Sequence, residues 1–194
     1  MAYLSADQLA ERLKQKTNLL RIEHEGNTKV WFSPHVPDEL PIGVSAHRLS
    51  TEKVALPYNH YFSLAHALTG WMIYWRHTGP RYVGAGAFIS VSPLGAKKPV
   101  VDIELGEWSD TVTEDSQAQW LFGFESRDYV SYLCKGLTEG LLVSYLGHPL
   151  ADVRIRLLNA LSHKIDSSAM AFQVLGKWLM NALIFEMYKR DWIK

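Results

Sequence analysis

The side chains in this sequence that could do chemistry are eight histidines, one cysteine and a group of carboxylates near the middle of the chain. A metal ion needs several such ligands converging on one point at defined spacing. His60 and His66 are six positions apart and would point to different sides of a helix. His35, His47, His77 and His148 lie in loops or at helix ends, with no cysteine or carboxylate at ligand spacing. No metal and no cofactor is therefore expected. Cys134 sits on the apolar flank of its helix without a placed base, which makes it a small buried hydrophobe.

A histidine oriented by a carboxylate makes a general base. His60, with Tyr58 and Asn59, would meet Asp102, Glu104 or Glu107 if the stretch around it folded over an acidic sheet face. That is the enzyme reading, a hydrolase-like protein acting on a small molecule. A hairpin with a solvated acidic face accounts for the same residues. No nucleophile elbow, phosphate-binding loop or zinc-finger spacing is present, and Gly84-Ala85-Gly86 opens no helix. No residue is assigned as catalytic.

Charge is distributed unevenly although the net charge is zero. Lys53, Arg76, Arg81, Lys97 and Lys98 fall in a stretch without acids, and Asp102 to Glu125 carries seven acids without a lysine or arginine. Acids steer a partner of opposite charge, and aromatics among them supply contact area. Asp102, Glu104, Glu107, Trp108, Asp110, Glu114, Asp115 and Trp120 are accordingly the expected partner-binding surface. The function this implies is a protein-binding module. One form would be a stoichiometric inhibitor or immunity-type antidote covering a basic protein such as a nuclease toxin, as in a toxin–antitoxin pair. A second arrangement is that the basic and acidic blocks neutralise one another across neighbouring strands. Five basic residues spread over almost fifty positions, at neutral pI, give no footprint for nucleic acid.

The elements that must position these residues follow from periodicity. Ser5-Ala6-Asp7-Gln8 has the form of a capping box and opens a short helix. Apolar runs flanking Glu25-Gly26-Asn27-Thr28 predict a hairpin. Residues 33–59, with Pro34, Pro37, Pro41 and Pro57, predict a long irregular segment. The spacing of Phe62, Ala65, Leu68, Trp71, Met72 and Trp75 predicts a helix capped by Asn59 and running to His77. Ala85 to Val91 and Val101 to Leu105 read as strands, the second with both acids on one face. Helices are predicted from Ser126 to Leu146, from Leu150 to His163, and over 168–190. The last is apolar around most of its circumference, with Gln173, Lys177 and Asn181 in one polar line and Ser167 or Ser168 as its cap. Those three polar side chains argue against a membrane span. The fold class is α+β in a single domain, residues 1–194. A small, mostly antiparallel sheet in about 1–110 packs on a helical bundle in about 116–194, centred on the buried helix. One cysteine and no visible signal peptide place the protein in the cytoplasm.

Overall fold

The structure, a computed structural model, describes residues 21–25, 28–33, 47–55, 60–78, 81–107, 120–122, 128–142, 146–163 and 167–194. Chain order is β1 (Arg21–Glu25), β2 (Thr28–Ser33), β3 (His47–Ala55), β4 (Leu68–Thr78), β5 (Arg81–Pro93), β6 (Val100–Glu107), β7 (Trp120–Phe122), α1 (Asp128–Leu142), β8 (Val153–His163) and α2 (Ala169–Lys189). The strands form one mixed sheet in the order β1-β2-β4-β5-β8-β6-β3, with β7 also paired to β8. The fold is α+β, and its centre is the four strands β4, β5, β8 and β6 with two helices packed together. A bundle is absent among the described residues. The sheet also draws on both halves of the chain, because β8 lies between β5 and β6 and pairs parallel to β6.

Two predicted helices are strands. Residues 68–78 form β4, whose side chains are buried on both faces: Leu68, Met72 and Tyr74 on one, Thr69, Trp71 and Ile73 on the other. A strand covered on both sides shows no alternation, so its apolar residues also satisfy a helical template. Residues 153–163 form β8, and Val153, Arg154, Ile155, Arg156 and Leu157 do alternate. Phe88 pairs with Asn159 but Ile89 with Leu157, so a bulge at Leu158 interrupts the period halfway along the strand. The segment predicted to be irregular contains β3, an edge strand pairing antiparallel with β6. The hairpin is present as β1 and β2. The N-terminal capping box lies outside the described residues.

The main core lies between one sheet face and the helices. Leu68, Met72, Ile89, Val91, Ile103, Val153 and Ile155 meet Leu133, Leu137, Leu175, Leu179 and Leu183 there. Gly70 on β4 lets α2 approach: a Cβ at this position would lie 2.8 Å from Leu183 Cδ2. Ser168 caps α2 by accepting a hydrogen bond from Ala171 N at 3.2 Å, and Ser167 donates to Gly84 O of β5 at 2.7 Å. Together the two serines fix the start of α2 against the sheet. At its other end the chain folds back on residues 62–66: Lys194 and Ser63 exchange backbone hydrogen bonds, and Ala65 N donates to Trp192 O.

Candidate functional site

Strand register places a polar patch on the sheet face opposite the helices. Asp102 pairs with Arg154 and Glu104 with Arg156 along the parallel β6–β8 ladder. On the outer side of β6, Lys53 pairs with Asp102 and Thr51 with Glu104; on the far side of β8, Ser92 pairs with Arg154 and Ser90 with Arg156. Paired residues share a face, so two polar rows run across β6, β8 and β5.

The carboxylates lie at the bottom of this patch and the arginines above them. Asp102 is 4% exposed and Glu104 6%, whereas the Arg154 and Arg156 side chains are 40% and 54% exposed. Arg156 Nε donates to Glu104 Oε2 at 3.0 Å. Arg154 Nε lies 3.2 Å from Glu104 Oε1 and 3.5 Å from Asp102 Oδ2, within ion-pair reach of both but aligned with neither for a hydrogen bond. A buried carboxylate is tolerated only when paired, and the alternating arginines of β8 supply the pairs. Asp102 Oδ1 retains no hydrogen-bond partner, and neither do Thr69 Oγ1 and Trp71 Nε1 on the same face.

A second carboxylate organises the end of the sheet. Asp152, at φ 55°, precedes β8. Its Oδ1 accepts from Ala96 N at 2.7 Å and its Oδ2 from Lys97 N at 3.1 Å, while its carbonyl accepts from Leu94 N at 2.8 Å. Asp152 thereby clamps the loop that carries the chain from β5 across β8 to β6. Sequence reasoning missed this role. The signal was an aspartate, one of the few residue types tolerated at positive φ, directly before an alternating strand.

The helices meet at an unusually short distance. A Cβ on Gly136 would fall 2.0 Å from Gln173 O, and one on Gly176 would fall 2.5 Å from Leu133 O. Gln173 donates to Glu139 at 2.7 Å across this seam. The expected polar line is therefore not the water-facing side of α2: Gln173, Lys177 and Asn181 are half-buried, and Asn181 Oδ1 is buried without a partner. With α1 on one flank and the sheet beneath, the arc left open carries Met170, Trp178, Phe185 and Tyr188. Trp178 stacks edge-on against Tyr74 at 5.5 Å, and Lys189 Nζ sits 4.0 Å above the Phe185 ring.

These placements bear on each residue expected to form the partner surface. Asp102 and Glu104 face away from the core as anticipated, but they are buried under arginines rather than solvated. At these two positions the neutralising groups are Arg154 and Arg156 of β8, which lie outside the basic block that sequence offered as the partner. Glu107 ends β6 and Trp120 begins β7, paired to His163 of β8. Their side chains lie outside the described residues, as do Trp108, Asp110, Glu114 and Asp115 entirely. His60 is exposed, and its ring neighbour is His148, with centroids 6.2 Å apart, rather than a carboxylate. Among the described residues no three histidine, cysteine or carboxylate groups converge on a possible metal position. Cys134 is buried. No helix among the described residues is long and apolar enough to cross a membrane.

No family model matches the chain. A segment of 55 residues is 38% identical to elongation factor G of Chlamydia caviae and, equally, to that of Aquifex pyrophilus. This segment is 28% of the present chain and spans 8% of the length of either factor. A solved structure from Thermus thermophilus superposes on 63% of this chain and 16% of its own, at 16% identity and a TM-score of 0.45.

Proposed function

We propose that this chain is a protein-binding module that works by docking, through the outer face of α2, in the setting of translation elongation. The observation that carries the docking surface is the distribution of exposed apolar side chains. Of five large hydrophobics that are exposed among the described residues, four lie on α2: Met170, Trp178, Phe185 and Tyr188. Single exposed hydrophobics are ordinary, but an aligned stripe containing three aromatics has the composition of an interface centre. Lys177 and Lys189 flank the stripe, so the favoured partner face is apolar with acidic residues at its rim. The resemblance of a quarter of the chain to elongation factor G supports the setting.

The other readings have less behind them. An antidote covering a basic protein would have to rely on Glu107 to Trp120, since Asp102 and Glu104 are engaged by Arg154 and Arg156. A hydrolase using His60 would need that ring beside a carboxylate, and its described neighbour is His148. Co-sedimentation with ribosomes tests the proposal, comparing the wild type with a Trp178→Ala, Phe185→Ala double variant. Both rings are about two-fifths exposed, so the fold should survive. The double variant should bind at least about tenfold more weakly, or about 1.4 kcal/mol. Equal sedimentation of both proteins would remove α2 as the contact. A wild type that never enters the ribosomal fractions would remove the setting.

A further inference from the structure

We propose that Arg154 and Arg156 form a binding site for a phosphate group carrying three terminal oxygens, either inorganic phosphate or a phosphate monoester. The site lies on the sheet face opposite α1 and stands apart from the docking reading. Its geometry begins with the two arginines at alternate positions of β8, so their Cα atoms are about 6.6 Å apart and their side chains project from the same face. Among the described residues both arginines make carboxylate contacts through Nε: Arg156 Nε to Glu104 at 3.0 Å, Arg154 Nε to Glu104 at 3.2 Å and to Asp102 at 3.5 Å. The carboxylates are 4% and 6% exposed and the arginine side chains 40% and 54%, so each guanidinium keeps an edge open to solvent.

That division of labour is what an anion site requires. An arginine free in water loses side-chain entropy when it binds, and one already held through Nε loses less. A single carboxylate, Glu104, reaches both guanidinium groups and so fixes them relative to each other. Two adjacent donor forks outnumber the oxygens of a carboxylate ligand, which saturates one fork. A phosphate monoester offers three acceptor oxygens and can bridge both. Ser90 and Ser92, in register with the arginines on β5, add hydroxyl groups to the same rows.

The test follows the arginine side-chain nitrogen signals of the wild-type protein by NMR at constant ionic strength. The titrants are inorganic phosphate, O-phosphoserine, dimethyl phosphate and acetate. Phosphate and phosphoserine should each shift two arginine signals saturably, with roughly millimolar dissociation constants. The diester and acetate, with two terminal oxygens, should bind about tenfold more weakly or less. Tighter binding of phosphoserine than of phosphate identifies the ligand as a monoester, and the reverse identifies it as the free ion. Arg156→Lys keeps the charge and removes the fork, and should weaken phosphate binding about tenfold. If that variant does not fold, the wild-type titrations decide alone. Absence of a saturable shift with phosphate overturns the proposal. So do equal shifts by all four anions, or an Arg156→Lys protein that folds and binds phosphate as tightly as the wild type.

Discussion

Replacing Gly136 with alanine probes the seam that orients α2, and so the face it exposes. Glycine to alanine inside a helix normally stabilises by about 1 kcal/mol, because alanine has the better helix propensity. Here the new methyl would sit 2.0 Å from Gln173 O, 2.9 Å from Gln173 C and 3.1 Å from Gln173 Cα. A comfortable carbon contact is about 3.5 Å, so the helices would have to part by on the order of 1 Å. The atoms in the way are backbone, and no rotamer change relieves them. Parting the helices loosens Leu133, Leu137, Phe172 and Leu175, all fully buried. Overpacking of this kind costs up to about 3 kcal/mol, and subtracting the propensity gain leaves a net loss of about 2 kcal/mol. Urea melts monitored by circular dichroism should show a lower midpoint at unchanged slope. Gly176→Ala should behave alike, since its Cβ would lie 2.5 Å from Leu133 O in the same seam. Combined, the two should cost less than their sum, because helices already separated for one methyl admit the second. A Gly136→Ala protein as stable as the wild type would refute the close crossing and with it the assignment of the exposed face of α2.

Three further outcomes follow from the packing. Leu179→Ala, at a fully buried position against Gly70, should cost about 2–5 kcal/mol in a denaturant melt. Lys177→Ala, half-buried on α2, should stay within about 0.5 kcal/mol in the same assay. Asp152→Gly keeps the positive φ of 55° but abandons Ala96 N and Lys97 N, and should lower stability by about 2 kcal/mol; Asp152→Asn, which retains one acceptor oxygen, should lose less.

What was legible in the sequence was whatever has an unambiguous period or cap. The hairpin of β1 and β2, the alternation of Val101, Asp102, Ile103 and Glu104, and the capped helix after Ser168 belong to this class. β4 was illegible because burial on both faces removes the polar half of the strand pattern. β8 shows the alternation over Val153 to Leu157, but the bulge at Leu158 and the polar residues beyond it fit a helical template as well. Misreading β8 also concealed the polar patch, since as helix residues Arg154 and Arg156 would not share a face with Asp102 and Glu104. The alternation of β6 does point both acids away from the helix-packed core. Their burial was invisible because it depends on a strand inserted between β5 and β6 from fifty residues downstream. On α2 the line of Gln173, Lys177 and Asn181 was genuine, but α1 packs beside it through Gly136 and Gly140. Which flank a neighbouring helix covers is a tertiary fact that composition does not carry.

Site-specific photo-crosslinking decides whether the outer face of α2 is the contact surface proposed for it. Benzoylphenylalanine placed at Phe185, an aromatic already 42% exposed, preserves the size and character of the side chain. The same group at Lys135, an exposed position on α1, serves as the comparison. With ribosomes present, the Phe185 probe should yield one discrete protein adduct, and unlabelled wild-type protein should compete it away. The Lys135 probe should yield little. Adducts of equal strength from both positions, or a discrete adduct from Lys135 alone, would place the contact elsewhere than the outer face of α2.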